Sequence, residues 1–455
     1  MNMPNLTQLR LAAREIFDET LKAINADAAV RRAVCLTGSQ LSVCDATIDI
    51  GSRKIYSVAI GKAAFAMAYG LEQVMGDSLS AGFMSGPTSP VSNEMPPGKL
   101  SSSWQVCEGG HPLPNQTSLM AANAAFKLLQ RANEERALII FLISGGGSAM
   151  IESPIADYID LADLRVANEA LVSCGASISE INAVRRSFSA VKGGRLAARA
   201  PNCDLITLII SDVPQGQERN VASGPTLAPL EDAASALEVI DKYDLRSRLP
   251  QTILRALETG ASSPQSTSTS LRRHFVLLDN RSALEAAAAA ARQRGFTTEI
   301  AHDIADQPIA EGCRQLVSRL NTLRTQAGSK HLNETNAACL ISGGEFACPV
   351  RGKGLGGRNL ETSLRLITDQ SLSTSAPFVA LCAGTDGIDG NSPAAGAIVD
   401  STTGERALTI GLDPHAFLDR SDSYSFFVAL GDAIATGATG TNVRDIRILL
   451  AGFLS

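Results

Sequence analysis

The sequence predicts an α/β protein of two domains, the first built on a doubly wound parallel sheet, with a ligand cleft between them. Three observations lead there. Short apolar runs at 54–60, 138–143 and 205–210 each empty into a loop rich in Gly or Pro, with helical segments between them. Such βαβα alternation makes a parallel sheet whose ligands gather at the carboxyl ends of its strands. At 455 residues the chain exceeds what one hydrophobic core usually sustains. Finally, the junction Phe141-Leu142-Ile143-Ser144-Gly145-Gly146-Gly147-Ser148 has a relative at Leu340-Ile341-Ser342-Gly343-Gly344-Glu345. Two glycine turns at strand ends suit a polyanionic ligand held between two lobes.

Along the chain, Leu9, Ala12, Ile16, Leu21 and Ile24 fall near one face of a helix over 9–25, which should cover a sheet. The strand at 54–60 runs into Gly61-Lys62 and an Ala-rich helix from Ala63. Glu258 to Ser270 is polar and expected to be flexible, so 230–270 reads as the transition between domains. A strand at 274–278, a helix over 282–294, a helix over 309–327 and strands at 337–341, 378–382 and 446–450 follow. The alanine tract at 286–291 reads as packed helix, because alanine is the strongest helix former. The division expected is residues 1–245 for the N-terminal domain and 271–455 for the C-terminal one.

Composition narrows the class. A net charge of −6 with both signs interspersed offers no face for nucleic acid and no basic helix for a membrane surface. No apolar run approaches the ~18 residues of a membrane span, and the first residues lack an apolar signal core. Nine cysteines lie far apart without Cys-x-x-Cys, which reads as reduced thiols in a cytoplasmic protein.

Several segments could carry chemistry. Three consecutive glycines cost backbone entropy without packing gain, so Gly145, Gly146, Gly147 and Ser148 are expected to bind an anion through their N–H groups, helped by a following helix. Lys62 opens a helix at a strand end. Tyr56 stands where a Walker A loop needs Gly, so the P-loop reading fails. Arg185, Ser189 and Lys192 would share a helical stripe at i, i+4 and i+7 that could face phosphate, against a solvated basic face as the plain alternative. Ser211-Asp212-Val213-Pro214 puts a carboxylate at a strand end, suited to Mg²⁺ or a substrate hydroxyl, or to capping a turn. The segment 351–361 contains Gly352-x-Gly354-x-x-Gly357 with Arg351, Lys353 and Arg358; without the acidic residue of a dinucleotide fold it fits phosphates better than a nicotinamide. Gly384-Thr385-Asp386-Gly387-Ile388-Asp389-Gly390 suits Mg²⁺, with an Asx turn as the alternative. The hydroxyl-rich loop 436–443 binds anions or merely turns. Of the five histidines, His111 is the best placed to line a site.

These segments together resemble the glycerate kinase family whose C-terminal module is called MOFRL, some members of which are labelled hydroxypyruvate reductase. Gly-Gly-Gly-Ser, Lys-Gly-Gly-Arg-Leu-Ala, Ser-Asp-Val-Pro, Ala-Ser-Gly-Pro-Thr, Gly-Gly-Arg-Asn, Gly-Thr-Asp-Gly-x-Asp-Gly and Thr-Gly-x-Thr-Gly-Thr-Asn-Val occur in the family's order over nearly the full chain. The resemblance implies a Rossmann-like N-terminal domain, a smaller C-terminal domain with the MOFRL module at about 335–450, and a cleft between them. It also implies ATP- and Mg²⁺-dependent phosphorylation of D-glycerate, usually on the 2-hydroxyl. Lys62 and Arg358 match the positions the family places at the reaction centre.

The expected site therefore has Lys62, Arg358 and Asp212 at the chemistry. Gly145, Gly146, Gly147, Ser148, Lys192, Gly354, Gly356 and Gly357 would hold ATP, Arg185, Ser211, Asn359 and Thr385 the glycerate, and Asp386 and Asp389 the Mg²⁺. A homodimer is the candidate assembly. The chain departs from its relatives at Ser187, where a His is usual, at Gly216, where an Asp is common, and at Ala438, where Pro is common. The rivals are an NAD(P)H-dependent hydroxypyruvate reductase and a non-catalytic regulator that binds nucleotide or glycerate.

Overall fold

The computed structural model describes residues 5–87, 99–228, 235–259, 270–330, 337–368 and 377–452. They form two compact units, one of residues 26–277 and the other of the residues before 26 and after 277.

In the unit 26–277, strands Ile55–Ile60 and Leu138–Ser144 are buried at every position, which is why both are predominantly apolar. The sheet order is Trp104–Cys107, Leu79–Ser85, Ile55–Ile60, Leu138–Ser144, Asp204–Ile210, Arg272–Leu278. Counted along the chain this is 3-2-1-4-5-6, the doubly wound order, and the first five strands are parallel. Tyr56, Val58, Ile60, Phe141 and Ile143 share a core with Ala121, Ala125 and Leu129 of helix Gln116–Glu134. Helix Ala64–Met75 packs on the three strands about the switch point. An antiparallel sheet of Val34–Thr37, Gln40–Val43 and Ala46–Asp49, which the sequence reading did not anticipate, belongs to the same unit.

The expected division needs two corrections. Helices Ala236–Lys242 and Gln251–Thr259 bury Val239, Ile240, Ile253 and Leu257 against Leu164, Leu171, Val184 and Phe188 of the same unit, and strand Arg272–Leu278 completes its sheet. The boundary therefore falls near 277, not within 230–270; residues 260–269 of the expected flexible stretch lie outside the described residues. The second correction concerns helix Leu6–Ala23, which covers a sheet as expected, but in the other unit. Leu9, Ala13, Ile16 and Phe17 pack with Ala287 and Ala291 of helix Asn280–Gln293 on Val379, Leu381, Ile448 and Leu450.

That second sheet runs Thr297–Ile300, Ala337–Ser342, Asp445–Gly452, Phe378–Gly384, Gly396–Asp400, Ala433–Ile434. Only its first pair is parallel. Its opposite face is covered by helices Ile309–Lys330 and Arg358–Thr368 through Leu316, Leu320, Leu360 and Leu364. The alanine tract is packed helix, with Ala287, Ala288, Ala290 and Ala291 buried.

Helix Leu6–Ala23 starts in a capping box, Asn5 Oδ1 accepting the Gln8 N–H at 2.9 Å. Arg10 then clasps it to the sheet, bonding Asp400 at 2.5 Å and Asp432 at 2.6 Å, both carboxylates almost fully buried. Arg406 also binds Asp432, at 2.5 Å. Removing Arg10 leaves Asp400 without its guanidinium partner. Arg10→Ala should lower stability by about 2 kcal/mol, less than a fully buried pair would lose, since Arg10 is itself partly exposed. Urea denaturation checks this, and an unchanged midpoint would mean that the clasp is not holding the helix.

Candidate functional site

The strand order of the unit 26–277 reverses between Ile55–Ile60 and Leu138–Ser144, so the loops leaving these strands diverge and open a crevice. Two hydrogen bonds tie the loops together at their roots. Lys62 N–H donates to Gly145 O at 2.8 Å, and Ala63 N–H to Ser144 Oγ at 3.0 Å. Gly61 sits at φ 116°, and a Cβ there would overlap both Ser144 oxygens, so this approach is open only to glycine. Among the described residues, no acceptor takes the N–H groups of Gly145, Gly146 or Gly147.

Three side chains surround this open backbone. A Cβ on Gly145 would overlap the Asp212 carboxylate, which therefore lies directly over that Cα. A Cβ on Gly146 would come within 3.0 Å of Lys62 Cγ and 3.2 Å of His111 Cδ2. A cation, an imidazole and a carboxylate thus meet at an amide-lined turn, which can hold an anion beside a hydroxyl. The helix expected to add its dipole is a single turn, Gly147–Met150, too short for peptide dipoles to sum; the amides themselves make the site.

The Arg185, Ser189, Lys192 stripe is not formed, because helix Ile178–Phe188 ends before Ser189. Lys192 is buried to 1% exposure, its Nζ paired with Glu152 and bonded to Ser148 O at 2.9 Å. Burial pushes its pKa down, and the Glu152 carboxylate pulls it back up. The ammonium of Lys192, expected to meet ATP, is thus engaged by protein groups. Ser148 Oγ is 2.9 Å from Ser223 Oγ, which donates to Asn182 Oδ1 at 2.7 Å. Arg185 Nε donates to Asn168 Oδ1 at 2.8 Å; burial pushes its pKa down, opposed by the charge of Glu152. Ser211 is buried and bonds within its own turn, to Val213. Of the departures from the relatives, Ser187 Oγ bonds back to Ala183 O at 3.2 Å, and Gly216, at φ 85°, donates its N–H to Glu218 at 2.7 Å.

In the other unit, several amides of the glycine-rich loops are taken by protein acceptors. Gly344 N–H donates to Asn280 Oδ1 at 2.9 Å and Glu345 N–H to Asp306 Oδ1 at 2.8 Å. Gly354 N–H goes to Arg420 O at 3.2 Å, Leu355 N–H to Asp422 Oδ1 at 3.1 Å, and Gly356 N–H to Asn391 Oδ1 at 2.8 Å. A Cβ on Gly357 would overlap Asp389 Oδ1. Gly354, Gly356 and Gly357 are glycine for close packing, and of the 352–357 amides expected to hold triphosphate oxygens, those of Gly354, Leu355 and Gly356 are taken by protein acceptors.

Asp389 is buried and accepts Leu360 N–H at 2.8 Å, Asn359 N–H at 3.1 Å and Asn359 Nδ2 at 3.2 Å. It thus caps helix Arg358–Thr368, where it was expected to pair with Asp386 about Mg²⁺. Burial, aided by the charge of Asp445, raises its pKa to about 7 against the pull of those N–H groups. Asp386 Oδ1 closes an Asx turn with Ile388 N–H at 3.2 Å. Among the described residues, no three acidic, His or Cys side chains lie together as a metal would need for an all-protein cage. Thr385 is a buried latch, its Oγ1 donating to Arg444 O at 2.6 Å and accepting Val443 N–H at 2.9 Å. Asn359 Oδ1 is buried without a partner among the described residues.

Arg358 is partly exposed, with Nε on Asp445 at 2.7 Å and Nη2 on Glu345 at 2.9 Å. Burial would lower its pKa, but the two carboxylates outweigh this and raise it. Behind Asp445 stands Arg447, fully buried, stacked 3.5 Å above Phe346, its Nη2 3.8 Å from the same carboxylate. Sequence reasoning missed Glu152, Asn280 and Asp445, whose partners lie far away along the chain and leave no local signal.

An open amide turn at the switch point of a 3-2-1-4-5-6 sheet, with Lys62 and Asp212 beside it, defines an α/β protein with a turn suited to a small anionic group. Residues 12–258 match the family described as "Domain of unknown function (DUF4147)", and residues 338–445 match the MOFRL family. The chain is 31% identical over 441 residues to a D-glycerate 2-kinase of Thermotoga maritima, covering 97% of this chain and 98% of that one. It is 36% identical to a protein of Agrobacterium vitis whose name assigns it, provisionally, as a hydroxypyruvate reductase, over 87% of this chain and 86% of that one. A crystal structure of glycerate kinase from Thermotoga maritima superposes with a TM-score of 0.78 at 30% identity, covering 98% of this chain and 99% of that one. The chain belongs to the glycerate kinase family with a C-terminal MOFRL domain.

Two glycine substitutions separate the open turn from the closed ones. Gly145→Ala meets only the end of the Asp212 side chain, so the protein should fold and lose affinity for ADP or glycerate by about tenfold or more. Gly354→Ala presses on Asp422 Cβ at 2.5 Å and Ser421 O at 2.7 Å, and should cost about 2 kcal/mol of stability. Calorimetric titration and urea denaturation of both variants check this pair; the reverse pattern would mean that the loops have been assigned the wrong way round.

Asp389 carries a pH signature. Its folded pKa of about 7 lies above the ordinary 3.8, so the stability it contributes is fully present below the lower value and is lost as pH rises through the upper one. Between pH ~5 and ~8 the protein should lose on the order of 2 kcal/mol more than Asp389→Asn does. Denaturation at the two pH values measures the difference, and parallel curves would contradict the buried, raised carboxyl.

Proposed function

We propose that the protein transfers the γ-phosphoryl group of ATP to D-glycerate, forming 2-phosphoglycerate and ADP. The observation that carries this reading is the turn at 145–147, with its N–H groups open and Lys62 and Asp212 against it. Phosphoryl transfer asks a protein mainly for positioning and for neutralisation of charge on the transferring oxygens. In this reading the Gly145–Ser148 backbone holds an anionic substrate group, and Lys62 neutralises charge on the transferring phosphoryl group. Asp212 accepts the proton of the glycerate 2-hydroxyl as that oxygen bonds to phosphorus and ADP leaves. Arg358, in the other unit, remains a candidate for a cationic role. Arg185 and Asn359 remain candidates for orienting glycerate.

Mg²⁺ usually takes one or two carboxylates and completes its shell with nucleotide phosphates and water. The carboxylate of Asp212, or that of Asp386 in the other unit, fits that modest demand. Bound there, the ion would supply charge neutralisation to the phosphates.

Incubation with ATP, Mg²⁺ and D-glycerate, followed by ³¹P NMR, tests the proposal. The expected product is 2-phosphoglycerate, and Lys62→Ala should lower kcat by about 10²–10³. Oxidation of NADH by hydroxypyruvate with no phosphoglycerate formed would replace this reading with the reductase that the name of the Agrobacterium relative suggests.

A further inference from the structure

The turn at 145–148 is supported from beneath by an ion pair that the reaction itself does not use. Glu152 and Lys192 are each only 1% exposed. Glu152 Oε1 accepts Ser153 N–H at 2.9 Å and the Ser189 hydroxyl at 2.5 Å, while Oε2 meets Lys192 Nζ. Ser189 Oγ in turn accepts the N–H groups of Val191 at 3.2 Å and Lys192 at 3.3 Å, which fixes where the lysine starts.

What Lys192 does with its remaining bonding capacity follows from the short helix. In a continuing helix, Ser148 O would accept the N–H of residue 152. That N–H donates instead to Ser118 O at 3.2 Å, because the chain leaves the helix at Ile151. The carbonyl at the end of the turn would be left unsatisfied in a partly buried place, and Lys192 Nζ bonds it at 2.9 Å. The Ser148 side chain is pinned separately, through Ser223 to Asn182.

We infer that Lys192, buried with Glu152, is a positioning residue for the anion turn, holding Ser148 O so that the Gly145–Gly147 N–H groups keep the orientation a substrate anion needs. This rests on reading that turn as the seat of a substrate anion. A buried ion pair seldom stabilises a fold more than apolar residues of the same volume would, so stability alone does not account for it.

The test uses Lys192→Met combined with Glu152→Gln, which removes both charges together and keeps an acceptor for Ser189 and Ser153. Thermal unfolding reads the fold, and separate calorimetric titrations with ADP and D-glycerate read the turn. The double variant should unfold near the parent's temperature yet bind one of the two ligands about tenfold more weakly, with the other unchanged. Parental affinity for both ligands, or equal weakening of both, would overturn the inference while leaving the kinase reading intact. A parent protein that binds neither would overturn both. If the double variant does not fold, Ser189→Ala, which keeps both charges and frees the carboxylate of one donor, should show the same one-sided weakening, and unchanged affinities would again overturn the inference.

Discussion

The site depends on two hydrogen bonds at the reversal point of the first sheet, from Lys62 N–H to Gly145 O and from Ala63 N–H to Ser144 Oγ. They join the first loop of the sheet to the fourth, which the order 3-2-1-4-5-6 would otherwise let diverge. Spending the Gly145 carbonyl on this tie orients the peptides that follow, so that their N–H groups face away from the protein's own acceptors. Asp212, Lys62 and His111 then converge on the turn because each leaves its part of the same unit beside it.

Glycine-rich loops of similar composition come out differently in the two units. At 343–345 and 354–356, side chains and carbonyls from distant segments, Asn280, Asp306, Arg420, Asp422 and Asn391, accept the loop amides. These loops are glycine because backbone and side chains of Asn280, Ala305, Asp422 and Ser423 press against them. At 145–147 the pressure comes from the Asp212 carboxylate, a group with chemistry of its own. An amide nest is thus identified by what its N–H groups lack, which composition cannot express.

Much of this fold was legible in the sequence. Strands 55–60, 138–144 and 204–210 are largely apolar because almost every position is buried, and their alternation with helices predicted the doubly wound class, though not the strand order. The helix at 6–23 was legible as a helix, but not its partner: the Arg10 clasp to Asp400 and Asp432 spans nearly the whole chain. The stripe through Lys192 was misread because Ser189 ends the helix, a backbone event that the periodicity of charged residues does not report. Asp386 and Asp389 looked like a metal pair, whereas Asp389 is committed to the N–H groups opening helix Arg358–Thr368, a contact made thirty residues away. Motif order showed the family; local chemistry at each motif required the geometry.

In the proposed reading Gly145–Gly147 form the anion seat and the 354–356 loop does not. The most direct measurement is a crystal structure of the protein with a non-hydrolysable ATP analogue and D-glycerate. The account predicts a phosphate or carboxylate group within hydrogen-bonding distance of the Gly145–Gly147 N–H groups, with the Gly354 and Gly356 N–H groups still on Arg420 O and Asn391 Oδ1. Anionic oxygens seated on the 354–356 amides, with the 145–147 turn bare, would contradict it.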